Sequence, residues 1–517
     1  MRGAALIIAV SILVSRVLGV VREMLLARVA GINLEKNALD LAFLVPDLLN
    51  HVVSTGFLSM IFIPIFTGYL VENKSDKAWR FFANIFNTLG ILMIVLMIPA
   101  WIWMHEVILL LSKADPGPEV LERAVYFGRI ILPGQFAFFA GSFFVAVQHT
   151  RKQFLIPAMT GVVYNVAIVA GGIIGSSHGI AGFAWGVPVG AFVGFFFLQF
   201  WGMRRGGGWI WEPVLQVRDP DLLRYGKMML PLVLGVGAMF ALEFIIRSFG
   251  SAFGSHGISA LNYAYRLMYT LVAVFGFSVG VASYPDMARL AKEGKILELN
   301  QRVARSLDRM FAFLVPAMLT VWVLALPAVR LLFERGAFDT SATVLVSDLL
   351  RWYLPAAVGL CAQAVLVRSF YAQERMWIPT LVNSGLFLLS LVFYGIAAPT
   401  LGIRSVPLVG AATALVQVFV LVFVWKRTNG LAGVAPHVRN MARSLGVLLA
   451  AGIAIQILEP AWTQWLHSLR NLELLGASAL FAVLVFGAVL GLEIAIGNTS
   501  AREIAWERFA KVAKRIR

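Results

Sequence analysis

Fourteen mostly apolar stretches, each close to 20 residues or longer, run through this 517-residue chain. That pattern leaves few folds open. Hydrocarbon offers no water to backbone N–H and C=O groups, so only helices and closed barrels can cross it. A helix needs about 20 apolar residues to span the core, and a barrel strand only about half as many. The expected class is therefore an all-α integral membrane protein with 14 transmembrane helices. Charged residues are 14% of the chain, against about 25% in soluble proteins. The first stretch, Ala4 to Val21, has the apolar character of a signal peptide. Arg16 interrupts it, however, and no small-residue cleavage site precedes Arg22 and Glu23, so it reads as a retained helix. The second (39–71) and eighth (258–288) stretches are too long for one straight crossing. Gly56 with Pro64, and Gly276 with Pro285, predict bends there.

The net charge of +16 does not indicate nucleic acid. The basic residues gather in alternate loops, at Lys74, Lys77, Arg80, Arg151, Lys152, Arg204, Arg205, Lys426 and Arg427, and in the tail. This is the positive-inside pattern, and it puts both termini in the cytoplasm.

Several chemistries are excluded by what the chain lacks. The single cysteine, Cys361, rules out a disulfide framework and a Cys-based metal site. The seven histidines are dispersed without ligand spacing, so no metal site is expected. No G-x-x-x-x-G-K-[ST] loop exists to cradle ATP. Gly276-Phe277-Ser278-Val279-Gly280 matches the nucleophile-elbow pattern but falls inside an expected membrane helix with no strand before it. Asp219-Pro220-Asp221, the dense acidic loop patch, is flanked by Arg218 and Arg224 and reads as a solvated loop rather than a metal-dependent transferase site. Gly186, Gly190 and Gly194 form overlapping G-x-x-x-G patterns, the signature of close helix packing. A transporter is expected, not an enzyme.

The chain also repeats itself. Arg129, Leu132 and Pro133 recur as Arg351, Leu354 and Pro355, and Ile156-Pro157 recurs as Ile378-Pro379. Six helices separate each pair, which keeps the copies parallel in the membrane. The expected organisation is two six-helix lobes in parallel repeat, 1–203 and 224–427, joined by a cytoplasmic linker at 204–223. Residues 428–517 add two C-terminal helices and a basic cytoplasmic tail. Facing repeats of this kind place a substrate site at their interface, opened to each side in turn.

Arg16, Arg129, Arg247, Arg266, Arg351 and Arg368 lie within the apolar stretches. A charge at the bilayer centre costs about 2.5–3.5 kcal/mol on insertion scales, so such residues face a partner or a wet cavity. Several cations around one cavity would receive an anion, and guanidinium forks match phosphate oxygens bidentately. Arg16 and Arg22 are six residues apart and could border one cavity; Arg22 either does so or marks the helix end. Arg266 sits between tyrosines that are either interface anchors or cavity walls. Glu243 lies one turn before Arg247, at ion-pair spacing. Arg129 and Arg351, at equivalent repeat positions, suit a duplicated structural role in holding helix ends or carbonyls. Asp47 is either a proton or cation carrier or a hydrogen-bonding group at the bend. Arg368 has no assigned role.

Ser15-Arg16-Val17-Leu18-Gly19 with Arg22, Pro46-Asp47-Leu48-Leu49, Gly56 through Pro64, Tyr263-Ala264-Tyr265-Arg266-Leu267-Met268 and Phe333-Glu334-Arg335-Gly336-Ala337-Phe338 resemble the MviN/MurJ lipid II flippase family, over essentially the whole chain. The resemblance implies the fold of the multidrug/oligosaccharidyl-lipid/polysaccharide exporters. It also implies movement of lipid II, the undecaprenyl-pyrophosphate peptidoglycan precursor, from the inner to the outer leaflet of a bacterial plasma membrane, with cell-wall synthesis enzymes as possible partners. Arg16, Arg22 and Arg266 would engage the pyrophosphate, Ser259 would be a further polar site residue, and the last two helices would form a groove for the polyprenyl chain.

Three departures stand out. Asn50 and His51 occupy the region where the family carries an arginine, Tyr265 stands where it often has Asp, and Glu23 replaces Asp. His51, titrating near neutrality, could substitute in part for the missing charge. The alternatives left open are a flippase for another polyprenyl-pyrophosphate sugar and a cation-coupled drug exporter of the same fold. No cofactor is expected. The driving force would be the membrane potential or a Na⁺ or H⁺ gradient, with Glu23, Asp47 and Glu243 as coupling candidates.

Overall fold

The structure, a computed structural model, describes residues 2–503 apart from 54–56, 113–114, 152, 176, 178, 207–211, 240 and 470. Its regular elements are all helical among those residues. Packing divides the chain into two compact units, residues 1–259 with 335–339 and residues 260–334 with 340–517.

The first unit holds α1 (Arg2–Ala30), α2 (Leu34–Ala42), α3 (Leu44–Val53), α4 (Phe57–Val71), α5 (Ser75–Ile102), α6 (Met104–Leu111), α7 (Pro118–Ile131), α8 (Gly134–Thr150), α9 (Leu155–Ile174), α10 (Ala181–Gly190), α11 (Leu198–Arg205), α12 (Pro220–Met239) and α13 (Ala241–Gly250). A π-helical stretch, Ala191–Phe197, joins α10 to α11. Its core is aromatic: Phe62 packs against Phe66, Phe81, Phe82 and Phe143 with ring centroids 5.0–6.0 Å apart. The glycine pattern on α10 works as its spacing predicts. A Cβ on Gly186 would stand 2.6 Å from the Ile168 Cα, and one on Gly190 would stand 2.9 Å from the Tyr164 carbonyl. The backbones of α9 and α10 therefore touch.

The second unit is built from most of α14 (Gly257–Leu271), which starts in the first, and from α15 (Ser278–Lys292), α16 (Ile296–Val323), α17 (Ala325–Phe333), α18 (Thr340–Ala372), α19 (Trp377–Leu401), α20 (Ser405–Asn429), α21 (Ala435–Ser468) and α22 (Asn471–Ala495). Long α18 is its axis and packs on α15, α16, α17 and α20. The bend expected near Gly276 is a π-helical turn, Val272–Phe277, between α14 and α15. There a Cβ on Gly276 would meet the Cα of buried Cys361 at 2.8 Å. One turn on, Gly280 lies against the Ala364 carbonyl. The elbow-like sequence is thus two packing glycines on one helix face.

Ten helices among the described residues are long and apolar enough to cross a membrane, and one of these stretches, Trp377–Asn429, covers two expected spans. The expected second and seventh spans run over residues outside the described set, and the first runs over residues whose side chains lie outside it, so the ten do not amount to a count of 14.

Helix starts recur at the displacement on which the expected repeat rests. Helices begin at 75, 104, 118 and 155, and again at 296, 325, 340 and 377. The packing units do not coincide with the lobes expected at 1–203 and 224–427, because α12 and α13 lie in the first unit. Each copy also ties its fourth, fifth and sixth spans with buried amides. Gln148 and Gln199 join Thr160 in the first, and Gln363 reaches Asn383 at 2.9 Å and Gln417 at 3.0 Å in the second.

Candidate substrate site

Arg16 is exposed on α1, and Arg22, further along the same helix, is half-buried. Two carboxylate and amide contacts hold Arg22. Its Nη2 donates to Glu23 Oε1 at 3.0 Å and its Nη1 to Asn165 Oδ1 at 3.3 Å. Asn165, on α9, in turn donates to the Ser15 carbonyl at 3.3 Å and to the Gly161 carbonyl at 2.8 Å. Gly161 leaves room for Ser15, whose Oγ would be 2.5 Å from a Cβ there. The Ser15-Arg16 segment is therefore clamped to α9, with the Arg22 fork fixed by neighbours and partly open to solvent. Glu23 takes the Nε and Nη2 edge of the guanidinium and Asn165 takes Nη1, which leaves the second N–H groups of Nη1 and Nη2 for an anion.

A second group forms around Arg247. Its guanidinium lies 2.7 Å from Asp47 on α3 but 3.9 Å from Glu243 on its own helix. Its Nη1 also donates to the Phe43 carbonyl at 3.4 Å. The spacing that suggested a Glu243 pair found the weaker partner; Asp47 is the stronger. All three coupling candidates, Glu23, Asp47 and Glu243, thus sit on arginines.

Ser259 is fully buried, and its hydroxyl donates to Asn37 Oδ1 at 3.0 Å. Asn37 also receives the Ser259 amide at 2.8 Å and donates to the Gly254 carbonyl at 3.2 Å. Asn50 is half-buried on α3; His51 is helical there, and its side chain lies outside the described residues. In the second unit, Arg266 is half-buried on α14. Tyr263 and Tyr265 are buried, against Phe333 at 4.9 Å and Tyr353 at 5.9 Å between ring centroids. They are core residues of the unit, in neither of the roles their flanking position suggested.

Arg129 and Arg351 carry the duplicated role their positions imply. Arg129 donates to the carbonyls of Trp101 and Ile102 at 3.1 Å, where α5 ends. Arg351 donates to the Trp322 carbonyl at 3.4 Å, where α16 ends. Each satisfies carbonyls that a helix C-terminus leaves without partners.

Sequence reasoning missed Asn165 and Asn37, since an amide in an apolar helix carries no spacing signal. It also missed Lys36–Asp40, a buried ion pair at 2.6 Å whose signal, i,i+4 spacing in a short helix, was present.

The chain matches the family model for "Lipid II flippase MurJ" over residues 26–475. It is 26% identical over 514 residues to a lipid II flippase MurJ of Burkholderia cenocepacia, covering 95% of this chain and 97% of the relative. It is 27% identical over 388 residues to a probable lipid II flippase MurJ of Buchnera aphidicola, covering 73% and 74%. Among solved structures it resembles a lipid II flippase MurJ in an inward closed conformation, with a TM-score of 0.75 at 20% identity over 94% of this chain and 98% of that one. An inward-facing multidrug resistance transporter of the MATE family matches at a TM-score of 0.67 and 16% identity, covering 80% of this chain and 94% of that one. This multi-pass helical membrane protein, with a fixed and partly open arginine fork on its first helix, belongs to the lipid II flippase MurJ family.

Proposed function

We propose that the protein carries lipid II, or a closely similar polyprenyl-pyrophosphate glycolipid, from the inner to the outer leaflet of the bacterial inner membrane. The observation that carries this reading is the Arg22 fork, clamped by Glu23 and Asn165 within an apolar helix, in a chain that matches the flippase family over 26–475. Arg16 and Arg266 would share the pyrophosphate charge, and Asn50 and His51 would face the substrate where relatives present an arginine. Both termini would be cytoplasmic. The relief of each lobe in turn would expose the site to each side, by alternating access.

Work comes from the membrane potential, about 2.3 kcal/mol per charge per 100 mV, or from a Na⁺ or H⁺ gradient acting on the arginine-paired carboxylates. A drug exporter of the same fold would need a site that receives cations, and the arginines oppose that.

The test has two parts. In a flippase-depleted cell, Arg16→Ala and Arg266→Ala should abolish rescue while protein stays in the membrane; normal growth of both would overturn the assignment. Reconstituted vesicles offered labelled lipid II and another labelled polyprenyl-pyrophosphate sugar would separate the two substrates.

A further inference from the structure

Arg368 is the arginine left without a role. It lies one turn before the end of α18 and is half-buried. Other arginines of the second unit have carboxylate partners: Arg302 has Asp286, Arg330 has Glu334 and Arg404 has Asp348. Arg368 has none among the described residues. It donates to the Ala364 carbonyl of its own helix, and its guanidinium lies 5.3 Å from the centroid of the Phe277 ring. A snorkelling arginine would stretch past the helix end to water. This one folds back a full turn toward the helix interior.

The neighbouring helix is shaped to receive it. A Cβ on Gly280 would stand 2.9 Å from Arg368 Nη1 and 2.7 Å from the Ala364 carbonyl. Tyr371 follows Arg368 by three residues on α18 and Tyr284 follows Gly280 by one turn on α15, and both phenols interact electrostatically with the guanidinium. Neither phenol has a hydrogen-bond partner among the described residues. A guanidinium has five N–H donors, and a phenol adds one more. Among the described residues, most donors in this patch have no acceptor, and its positive charge has no counterion. Phosphate oxygens supply acceptors and charge together.

We propose that Arg368, Tyr284 and Tyr371 form a lipid-phosphate site, seated on Gly280 and Phe277. The topology given under Proposed function, on which this part rests, puts the ends of α15 and α18 at the cytoplasmic face. There the site would meet a polyprenyl diphosphate before transport, or the phosphodiester of a bulk phospholipid.

The experiment is native mass spectrometry of the full-length protein titrated with undecaprenyl diphosphate and, separately, with dioleoyl phosphatidylglycerol. Wild type, Arg368→Gln, Arg368→Lys and the double variant Tyr284→Phe/Tyr371→Phe are compared. Each is also measured in an Arg16→Gln background, so that occupancy near Arg16 does not mask the result. Arg368→Gln should weaken binding about 10-fold, and Arg368→Lys, which keeps the charge but loses the fork, about threefold. Loss confined to undecaprenyl diphosphate identifies the transported lipid as the ligand; loss confined to phosphatidylglycerol identifies a headgroup site. Either supports the proposal. Unchanged affinity for both lipids in Arg368→Gln overturns it. If that variant does not fold, unchanged affinity in Arg368→Lys and in the double tyrosine variant does the same. Failure of the flippase reading looks different: wild type would not retain undecaprenyl diphosphate, while the phosphatidylglycerol series would still report on Arg368.

Discussion

Arg247 Nη1 sits 2.7 Å from the Asp47 carboxylate, joining α13 to α3 across 200 positions of sequence. Glu243, one turn before Arg247 on the same helix, is 3.9 Å away. The arginine is nearly buried, with its side chain 9% exposed, while Asp47 is 29% exposed. Removing one member of a buried pair leaves an uncompensated charge and costs about 3–5 kcal/mol. The partial exposure of Asp47 places this pair at the low end. Asp47→Asn should therefore lower the thermal midpoint in detergent clearly, and Glu243→Gln should lower it much less. Equal losses would mean that the two carboxylates share Arg247 evenly.

The Arg22 clamp makes a different kind of prediction, about function rather than folding. Asn165→Leu keeps the volume on α9 but removes the amide that holds Arg22 and the Ser15 backbone. A hydrogen bond to a charged group contributes about 1.5–3 kcal/mol, and a loosened guanidinium loses its preorganised fork. Flipping of labelled lipid II in vesicles should fall at least 10-fold, with the protein still inserted. Unaltered flipping would show that Arg22 needs no such support.

Much of this architecture was legible because membrane helices announce themselves by length, and repeats by recurring Arg and Leu-Pro. The touching glycines of α9 and α10, and the carbonyl-holding roles of Arg129 and Arg351, follow from position along one helix. Pairs such as Arg22 with Asn165, Asp47 with Arg247 and Asn37 with Ser259 do not. Each joins residues more than 140 positions apart, and only the approach of two helices decides which polar side chains meet. Local spacing pointed to Glu243 for the same reason: a periodicity argument sees partners on one helix alone.

The two carbonyl clamps should differ in cost despite their equivalent positions, 222 residues apart. Both arginines are half-buried, but Arg129 bonds the carbonyls of exposed Trp101 and Ile102, whereas the Trp322 carbonyl that Arg351 reaches belongs to a half-buried residue. An exposed hydrogen bond is largely replaced by water; a buried acceptor left unmade costs about 1–3 kcal/mol. Arg351→Ala should destabilise by roughly that amount, and Arg129→Ala by under about 1 kcal/mol, in matched thermal unfolding.

Glycine contrasts test the packing directly. Gly186→Ala would push a Cβ to 2.6 Å from the Ile168 Cα, where only backbone can yield. Overpacking of this kind costs about 1–3 kcal/mol. Gly385, inside α19, has nothing within 4 Å of where its Cβ would lie. Gly385→Ala should be neutral or stabilise by about 0.5–1 kcal/mol, because it restricts the unfolded chain. A destabilised Gly385→Ala would count against the open surface on α19.

The last two helices are fastened to α16 by one buried carboxylate. Asp308 Oδ2 lies 2.8 Å from His437 Nδ1 and accepts from Asn440 at 3.1 Å and from Ser500 at 2.7 Å. Those donors come from α21 and from the segment after α22, so a single acidic side chain gathers three parts of the chain. Apolar packing of Val315 and Leu319 with Val447 and Val489 continues the same contact deeper in the helices. Asp308→Leu would leave the three donors without their acceptor, at about 1–3 kcal/mol for each that stays buried, whereas the apolar contact would persist. The ends of α21 and α22 next to Asp308 should then open without unfolding of the rest. Hydrogen exchange should show faster amide exchange near 435–444 and 493–503, with α18 unchanged. Exchange that rises equally across the whole second unit would show instead that Asp308 supports the unit's core.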